Sequence, residues 1–391
     1  MAISKINSNS LNTDEATLSF STSGVERMRI DSSGNVTVGG DLSIPSINGG
    51  QIGGRKNLIY NGAMQVAQRG TTITGVTTST YQCDRWFYNS EAEETVTLEQ
   101  SSDAPDGFGY SQKITVTTAD ADLTDDYVEI EQTFEGLDLQ QLAWGTSSAK
   151  PLTVSLWVKS SQTGSCAIGL YMAGTATMIG STFTINSAST WEYKTVTFAG
   201  NTTDAITNDN AQRLRLWIGL AAGSAYNGTD NTSWSAYTNA KRLYGQTLNL
   251  VGTTSATFQM TGVQMEVGSV ATEFEHRSYG EEFVSCCRYY QEMNLRTAVK
   301  GQGGVSGSGN TVSNLWTYIY PMRTQPTATS NSTAPSYYNG AWITSGSSAV
   351  IAPYQDYFAA GVSNVGIGAG TDFLWRWANG ANMFVYFDAE M

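Results

Sequence analysis

Along most of this chain apolar and polar residues alternate with a period of two, in short runs separated by Gly, Asn, Asp and Ser. Alternation of that period turns one face of a strand toward a core and the other toward water. Between residues 57 and 278 the runs include 95–99, 113–117, 127–131, 152–159, 166–171, 191–198, 213–218 and 256–260, with aromatic residues spread through them. Many short strands with turn residues between them predict two packed sheets of jelly-roll type. Inside that unit one short helix is expected, around residues 137–142.

The flanks read differently. Residues 1–56 carry small alternating runs (16–20, 28–30) broken by glycines, and Phe20 is their only aromatic residue. That is too little apolar bulk for a core within one chain, so the segment is expected to wind with copies of itself into a β shaft, as a homotrimer. After residue 278, Phe283, Cys286, Cys287 and Tyr290 recur at helical spacing and predict a short connecting helix. Beyond it, residues 301–355 contain one charged side chain, Arg323, while residues 279–391 hold ten of the twenty tyrosines and four of the ten tryptophans. An aromatic, almost uncharged β-rich tip is the expectation. The chain is thus read as all-β, with an N-terminal intertwined β shaft (1–56), a central jelly-roll β-sandwich (57–278) and a C-terminal β-rich tip domain (279–391).

Charge and residue counts exclude several functions. Lys plus Arg number 21 against 34 Asp plus Glu, a net charge of −13, which repels a phosphate backbone and argues against nucleic acid as a partner. No apolar run is long enough to insert in a membrane, and Met1–Ser4 lacks the basic start of a secretory signal. With one histidine, His276, and no C-x-x-C pair, no zinc set can be assembled, and no G-x-S-x-G elbow surrounds a serine. His276 is expected at a structural seam. Cys83, Cys166, Cys286 and Cys287 are read as reduced and mostly buried, the last two being adjacent, where a mutual disulfide is strained.

Two kinds of side chain remain as candidates for chemistry. The acidic stretch Asp120, Asp122, Asp125, Asp126, Glu129 and Glu131 departs from an EF-hand because Asp125 stands where the sharp turn needs glycine; no cofactor is called for, and a structural calcium site of another type stays open. Glu129 and Glu131, two apart on a strand, share a face at the scale of a glycosidase pair, although alternating carboxylates on a solvated strand are the ordinary explanation. A sugar presents apolar C–H faces and polar edges, so flat rings beside Asn, Asp, Gln or Arg suit it. Trp144, Tyr171, Trp217, Tyr226 and Trp234 are such rings in the sandwich, the loop from Tyr226 to Trp234 having the fitting composition, while Trp157, Trp191 and Trp217 sit in alternating runs that usually mean core. In the tip, Tyr337, Tyr338 and Trp342 are the glycan-binding candidates, and Trp375 and Trp377 share a strand face expected to be packed inward.

Residues 57–69 (NLIYNGAMQVAQR), with Tyr81 and Asp84-Arg85-Trp86, and residues 261–281 (TGVQMEVGSVATEFEHRSYGE) bracket the sandwich. This bracket resembles that of tail fibre and receptor-binding proteins of tailed bacteriophages, marine and cyanobacterial phages in particular, in which it encloses a carbohydrate-binding-module-like jelly roll; residues 26–36 are similar to their shaft element. The resemblance spans roughly residues 16–290. It implies a virion protein of the tail, assembled in the host cytoplasm, joined to other tail proteins through residues 1–56 and recognising a host surface polysaccharide without cleaving it. The alternative on the same scaffold is a depolymerase, a glycoside hydrolase or lyase working through a carboxylate pair. Within the bracket, Arg85 and Arg277 are expected to pair with Glu266, Glu273 or Glu275.

Overall fold

The computed structural model describes residues 17–23, 25–39, 55–294, 302–305, 311–330, 336–338, 341–343, 349–353, 357–363, 373–374 and 384–391. Contacts divide the chain into two compact units, Met1–Ile47 and Asn48–Met391. The first holds an antiparallel sheet of β1 (Thr17–Thr22), β2 (Val25–Asp31) and β3 (Val36–Val38). Asp31 shapes the turn between β2 and β3 by accepting from the backbone N–H of Ser33 and Asn35, both at 2.9 Å. None of the described side chains of this unit is buried, and Phe20, Val25 and Val36 are 40–56% exposed.

In the second unit the strands follow as β4 (Thr72–Val76), β5 (Thr80–Tyr81), β6 (Phe87–Ser90), β7 (Thr95–Ser101), β8 (Ser111–Thr118) and β9 (Tyr127–Glu135). Next come β10 (Leu152–Ser160), β11 (Gly164–Met172), β12 (Thr177–Ile185), β13 (Glu192–Phe198), β14 (Gln212–Ala222), helix α1 (Ser224–Asn227), β15 (Ser235–Ala236) and β16 (Thr257–Val267). They form a six-stranded sheet, β13-β10-β16-β8-β7-β4, and a seven-stranded sheet, β15-β12-β11-β14-β9-β6-β5. Every strand pair in both sheets is antiparallel. One core lies between the sheets: Leu152, Val154, Leu156 and Val158 of β10 face Ile168, Leu170, Leu216, Ile218, Ile130 and Phe134 of the other sheet. This is the all-β jelly-roll sandwich that the alternation predicts. The stretch expected to be a short helix is two 3-10 turns, Gly136–Asp138 and Gln140–Leu142.

Helix α2 (Tyr279–Cys287) follows the sandwich, opened by a capping box in which Ser278 and Glu281 satisfy each other's backbone N–H. Cys286 and Cys287 are buried as expected, but Tyr290 is not on the helix, because the chain turns at Arg288 and continues as the strand Tyr290–Asn294. All four cysteines are free and buried. Tyr290–Asn294 pairs with Phe384–Asp388, whose other edge pairs with Thr327–Ser330. A five-stranded sheet runs Ala349–Pro353, Tyr357–Ser363, Thr311–Thr317, Gln302–Val305, Phe373–Leu374. Contacts cross the boundary expected at residue 279: Arg288 grips Glu135 through two bonds of 2.7 Å, and the Tyr289 hydroxyl reaches the same carboxylate at 2.8 Å.

The bracket residues close this unit. The Asn57 side chain donates to Val263 O and accepts from Met265 N, while Asn61 donates to Val66 O and Asp84 O. The arginine partners differ from those expected. Arg85, fully buried, pairs with Glu390, and Arg277 donates to the carbonyls of Asn57 and Ile59 and lies 3.7 Å from Glu282. Glu266 and Glu275 are occupied with local groups instead, Thr272 and Gln264 for the first and the backbone N–H of Lys56 and Asn57 for the second. His276 is at the surface, against the rings of Phe108 and Phe274.

Candidate functional site

Strand β9 lies inside the seven-stranded sheet, between β14 and β6, with Val128, Ile130 and Phe134 in the core, so Glu129, Glu131 and Thr133 point to the outer face. Cross-strand register gathers polar and aromatic groups around them: Asn89 lies opposite Glu129, Phe87 and Trp217 opposite Glu131, and Arg215 opposite both Thr133 and Tyr171. The strand is not solvated. All nine of its residues are buried: the chain after β14 folds back over the Tyr127 end of this face, and Arg85, Arg288 and Tyr289 meet Thr133 and Glu135 at the other. At the Tyr127 end, Tyr226 and Leu243 pack on Tyr127, Ala167, Met178 and Trp217. Gly219 lets the cover approach, since a Cβ there would sit 2.7 Å from Gln246 Oε1, and Gly169 makes room for the Trp217 ring beneath it, 2.5 Å from where its Cβ would be.

Beneath the cover lies a charged cluster. Arg242, arriving with the cover, donates through Nε to both oxygens of Glu129 (3.1 and 3.2 Å) and through Nη2 to Glu131 at 3.0 Å, and its guanidinium stacks 4.0 Å over Tyr127. Asn89 and Arg215 close on the same Glu131 oxygen at 2.9 and 3.1 Å. Complete burial pushes the Glu129 carboxyl well above the ordinary range, against the pull of Arg242, and the charge of Glu131 adds to the rise. At Glu131 burial is outweighed by the hydrogen bond from Glu129 and by Arg215 and Arg242, which hold it below that range. A proton shared by the two carboxyls would sit on Glu129.

Beside the cover the face opens into a cavity of about 260 Å³. Glu131, Asn89 and Arg215 present their polar atoms there, and Tyr81 and Phe87, with ring centroids 4.7 Å apart, form an aromatic wall. Glu390 completes the rim. Behind it Arg85 stacks 3.5 Å over Tyr289 and donates to Thr133 O, and Arg69 stacks 3.6 Å over Tyr290 while pairing with Asp388 and Glu390. Polar groups held by bonds on several sides do not reorient when a ligand arrives, and this rigidity lowers the entropic cost of binding.

The structure separates the sandwich residues expected to form a sugar platform. Tyr226 is buried, its ring 4.7 Å from Tyr127 and its hydroxyl bonded to Glu91, which leaves no free face for stacking. Trp234 is half-buried, edge-on to Trp144 at 5.2 Å, with Nε1 donating to Ala199 O. Trp144 belongs to the core and Trp217 lies under the cover, but Tyr171 stands next to the site, with Arg215 5.7 Å above its ring. Trp157, read as core, points outward. In the tip, Ser336–Tyr338 and Ala341–Ile343 pair as a hairpin with Tyr337 opposite Trp342; Trp375 and Trp377 lie outside the described residues. Glu129 and Glu131 do share a face, inside an arginine cluster rather than in water. The acidic stretch before them folds as turns in which Asp120 caps Glu93 and Asp122, and Asp122 caps Thr124. Among the described residues no three His, Cys, Asp or Glu side chains are placed to hold a metal ion.

Of the residues in the cavity and in the charged cluster beside it, sequence reasoning passed over Asn89, Arg215 and Arg242. Arg215 had a signal: Arg213-Leu-Arg-Leu-Trp217 alternates, so a strand with leucines in the core must carry its guanidinium on the other face. Arg242 had none, because an irregular segment folding back on a sheet leaves no period to read.

No family model matches the chain, and no curated protein matches it. Among solved structures it is similar over 54% of its length to the enzymatically active domain of tailspike protein 4 of bacteriophage CBA120, at 12% identity and a TM-score of 0.30, spanning 21% of that protein. Over 54% it is similar to a putative sugar-binding protein of Bacteroides thetaiotaomicron, all of whose length is covered, at 12% identity and a TM-score of 0.31. A family 11 carbohydrate-binding module of Clostridium thermocellum, solved with a mixed-linked β-1,3-1,4 tetrasaccharide, aligns over 48% of this chain and 91% of its own, at 14% identity and a TM-score of 0.26.

Proposed function

We propose that this protein recognises a glycan without cleaving it, through the cavity on the outer face of the seven-stranded sheet, and that it does so as a trimeric fibre of a phage tail. The observation that carries the reading is the cavity floor: Asn89, Glu131 and Arg215, fixed by mutual bonds of 2.9 to 3.1 Å beside the Tyr81 and Phe87 rings. Such a floor offers the oriented polar groups that hydroxyls need and the ring surface that C–H faces need. Calorimetric titration against a panel of mono- and oligosaccharides tests it. A ligand of the wild-type protein should lose at least about tenfold in affinity to Asn89→Ala and Arg215→Ala, the loss expected for one fixed hydrogen bond, and a panel ligand bound equally by both folded variants would overturn the assignment.

The trimer and the virion rest on residues 1–56 and on the resemblance of the bracket. The exposed Phe20, Val25 and Val36 of the N-terminal sheet supply apolar surface that copies of the chain would cover. Light scattering should give three chains per particle for the whole protein and fewer once residues 1–47 are removed; a monomeric whole protein would refute the fibre. Host polysaccharide and other tail proteins are the partners in this reading.

A depolymerase is the second reading, favoured by the opposed shifts of Glu129 and Glu131, which resemble an acid and base pair. Against it, Glu129 is 0% exposed and both carboxyls are gripped by the same Arg242 guanidinium, which occupies the space a glycosidic bond would need. New reducing ends released from a host polysaccharide, and lost in Glu131→Gln, would favour cleavage.

A further inference from the structure

The opposite face of the sandwich carries a second set of aromatic residues. On β10, Leu156 and Val158 enter the core, so Trp157 and Lys159 point out, and register sets Tyr193 of the edge strand β13 directly across from Trp157. The rings stand 5.4 Å apart at an interplanar angle of 50°, Tyr193 being 44% exposed. Trp191 lies just beyond, under the Lys159 ammonium, and its Nε1 donates to Asp103 at 3.2 Å. Asp103 also takes Lys159 Nζ at 2.7 Å and Gln259 Nε2 at 3.2 Å, and Lys113 pairs with Glu99 further across the sheet. On a chain of net charge −13, the charges around these rings are thus matched within the face itself.

We propose that Trp157, Tyr193 and Trp191 form a second carbohydrate site, for a single strand of neutral polysaccharide. Rings beside fixed polar groups match the C–H faces and hydroxyl edges of sugars, and a face whose charges are internally paired gives no advantage to an anionic polymer. The 50° tilt selects further: two rings so inclined cannot both lie flat on a crystalline surface, but they accept successive sugars of a chain free to twist. Adjacent strands are about 4.8 Å apart, so Trp157 and Tyr193 are placed to take neighbouring rings of one chain. The site is independent of the cavity, which lies on the other sheet.

Affinity electrophoresis in gels containing hydroxyethylcellulose tests the proposal, with crystalline cellulose pull-down in parallel. Wild-type protein should be retarded in the gel, equally at low and high salt, and should stay unbound to the crystalline polymer. Tyr193→Ala and Trp157→Ala should each weaken retardation about tenfold, as expected for one stacked ring, while Tyr193→Phe and the cavity variant Arg215→Ala retain it. Melting temperatures identify variants that fail to fold, and Tyr193→Ala, at a ring 44% exposed, keeps the test decisive if Trp157→Ala is one of them. An unretarded wild-type protein, retardation that survives in folded Tyr193→Ala, or a fall in oligomeric mass on Tyr193→Ala, which would make this face an interface between copies, each overturns it.

Discussion

The two outer faces of the sandwich are built from the same alternation and reach opposite electrostatic solutions. On the seven-stranded sheet a folded-back segment covers the face around Tyr127 and Trp217, and the charges it traps form a buried network of Arg242, Glu129 and Glu131. On the six-stranded sheet Gln264 and Glu266 are covered in the same way by residues 268–275, but around Trp157 the face stays wet, and Lys159, Asp103, Lys113 and Glu99 pair at the surface, with side chains between 23 and 48% exposed. The difference teaches that a polar residue pointing away from the core is surface only where nothing folds back over it. Burial decides whether its charge is worth several kcal/mol or a fraction of one.

The largest effect is therefore expected at Arg242. Arg242→Ala removes the donor shared by Glu129 and Glu131 and leaves both buried without it, which should cost about 3–5 kcal/mol in urea unfolding. Glu129→Gln is its counterpart. If Glu129 carries the shared proton, an amide donates to Glu131 in the same place, and the loss should stay below about 1 kcal/mol. A loss as large as that of Arg242→Ala would mean that Glu129 is charged in the fold and that the two carboxyls do not share a proton.

Next comes Asp84, buried beside Arg69 and Glu390 and pushed up to about 6 by burial, which outweighs Arg69 and the hydrogen bonds from Gln68. A raised acid holds its proton in the fold after the unfolded chain has released it. Its stabilising contribution is complete below the unfolded value near 4 and is lost as pH rises through about 6. Wild-type stability should fall by up to about 3 kcal/mol between those limits relative to Asp84→Asn, which cannot titrate. Parallel pH profiles from chemical denaturation would show that the carboxyl is not shifted.

How much of this was legible follows from the same contrast. Leu152, Val154, Leu156 and Val158 were readable as core because a strand's alternation and its packing agree. Trp157 was misread as core, although its place between Leu156 and Val158 fixes it on the outer face. Glu129 and Glu131 were correctly put on one face and wrongly put in water, since the residues that bury them arrive from about a hundred positions downstream. The partners of Arg85 and Arg277 were out of reach for the same reason: Glu390 and Glu282 come from elements whose packing leaves no local pattern.

A smaller effect tests the cover itself. Gly219→Ala places a methyl 2.7 Å from Gln246 Oε1 and 2.9 Å from a Leu243 methyl, both in the folded-back segment. Overpacking of that kind typically costs about 1–3 kcal/mol. Because the cover also delivers Arg242, faster hydrogen exchange should spread through residues 223–246 and not through β13 on the other sheet. Uniform protection across both sheets would separate the cover from the charged cluster.

The smallest effect is expected on the open face. Lys159→Ala breaks a 2.7 Å pair with Asp103, but both partners keep water, and Asp103 keeps Gln259 and Trp191 as donors. Lys159 holds the Asp103 carboxyl below the ordinary range chiefly through its hydrogen bond, with burial opposing it, so the variant should let that carboxyl titrate higher. Since a screened surface pair contributes about 0–1 kcal/mol, the change in unfolding free energy should fall in that range and shrink as salt is added. A salt-independent loss comparable to that of Arg242→Ala would mean that this face, too, is covered in solution, and the contrast between the two sheets would collapse.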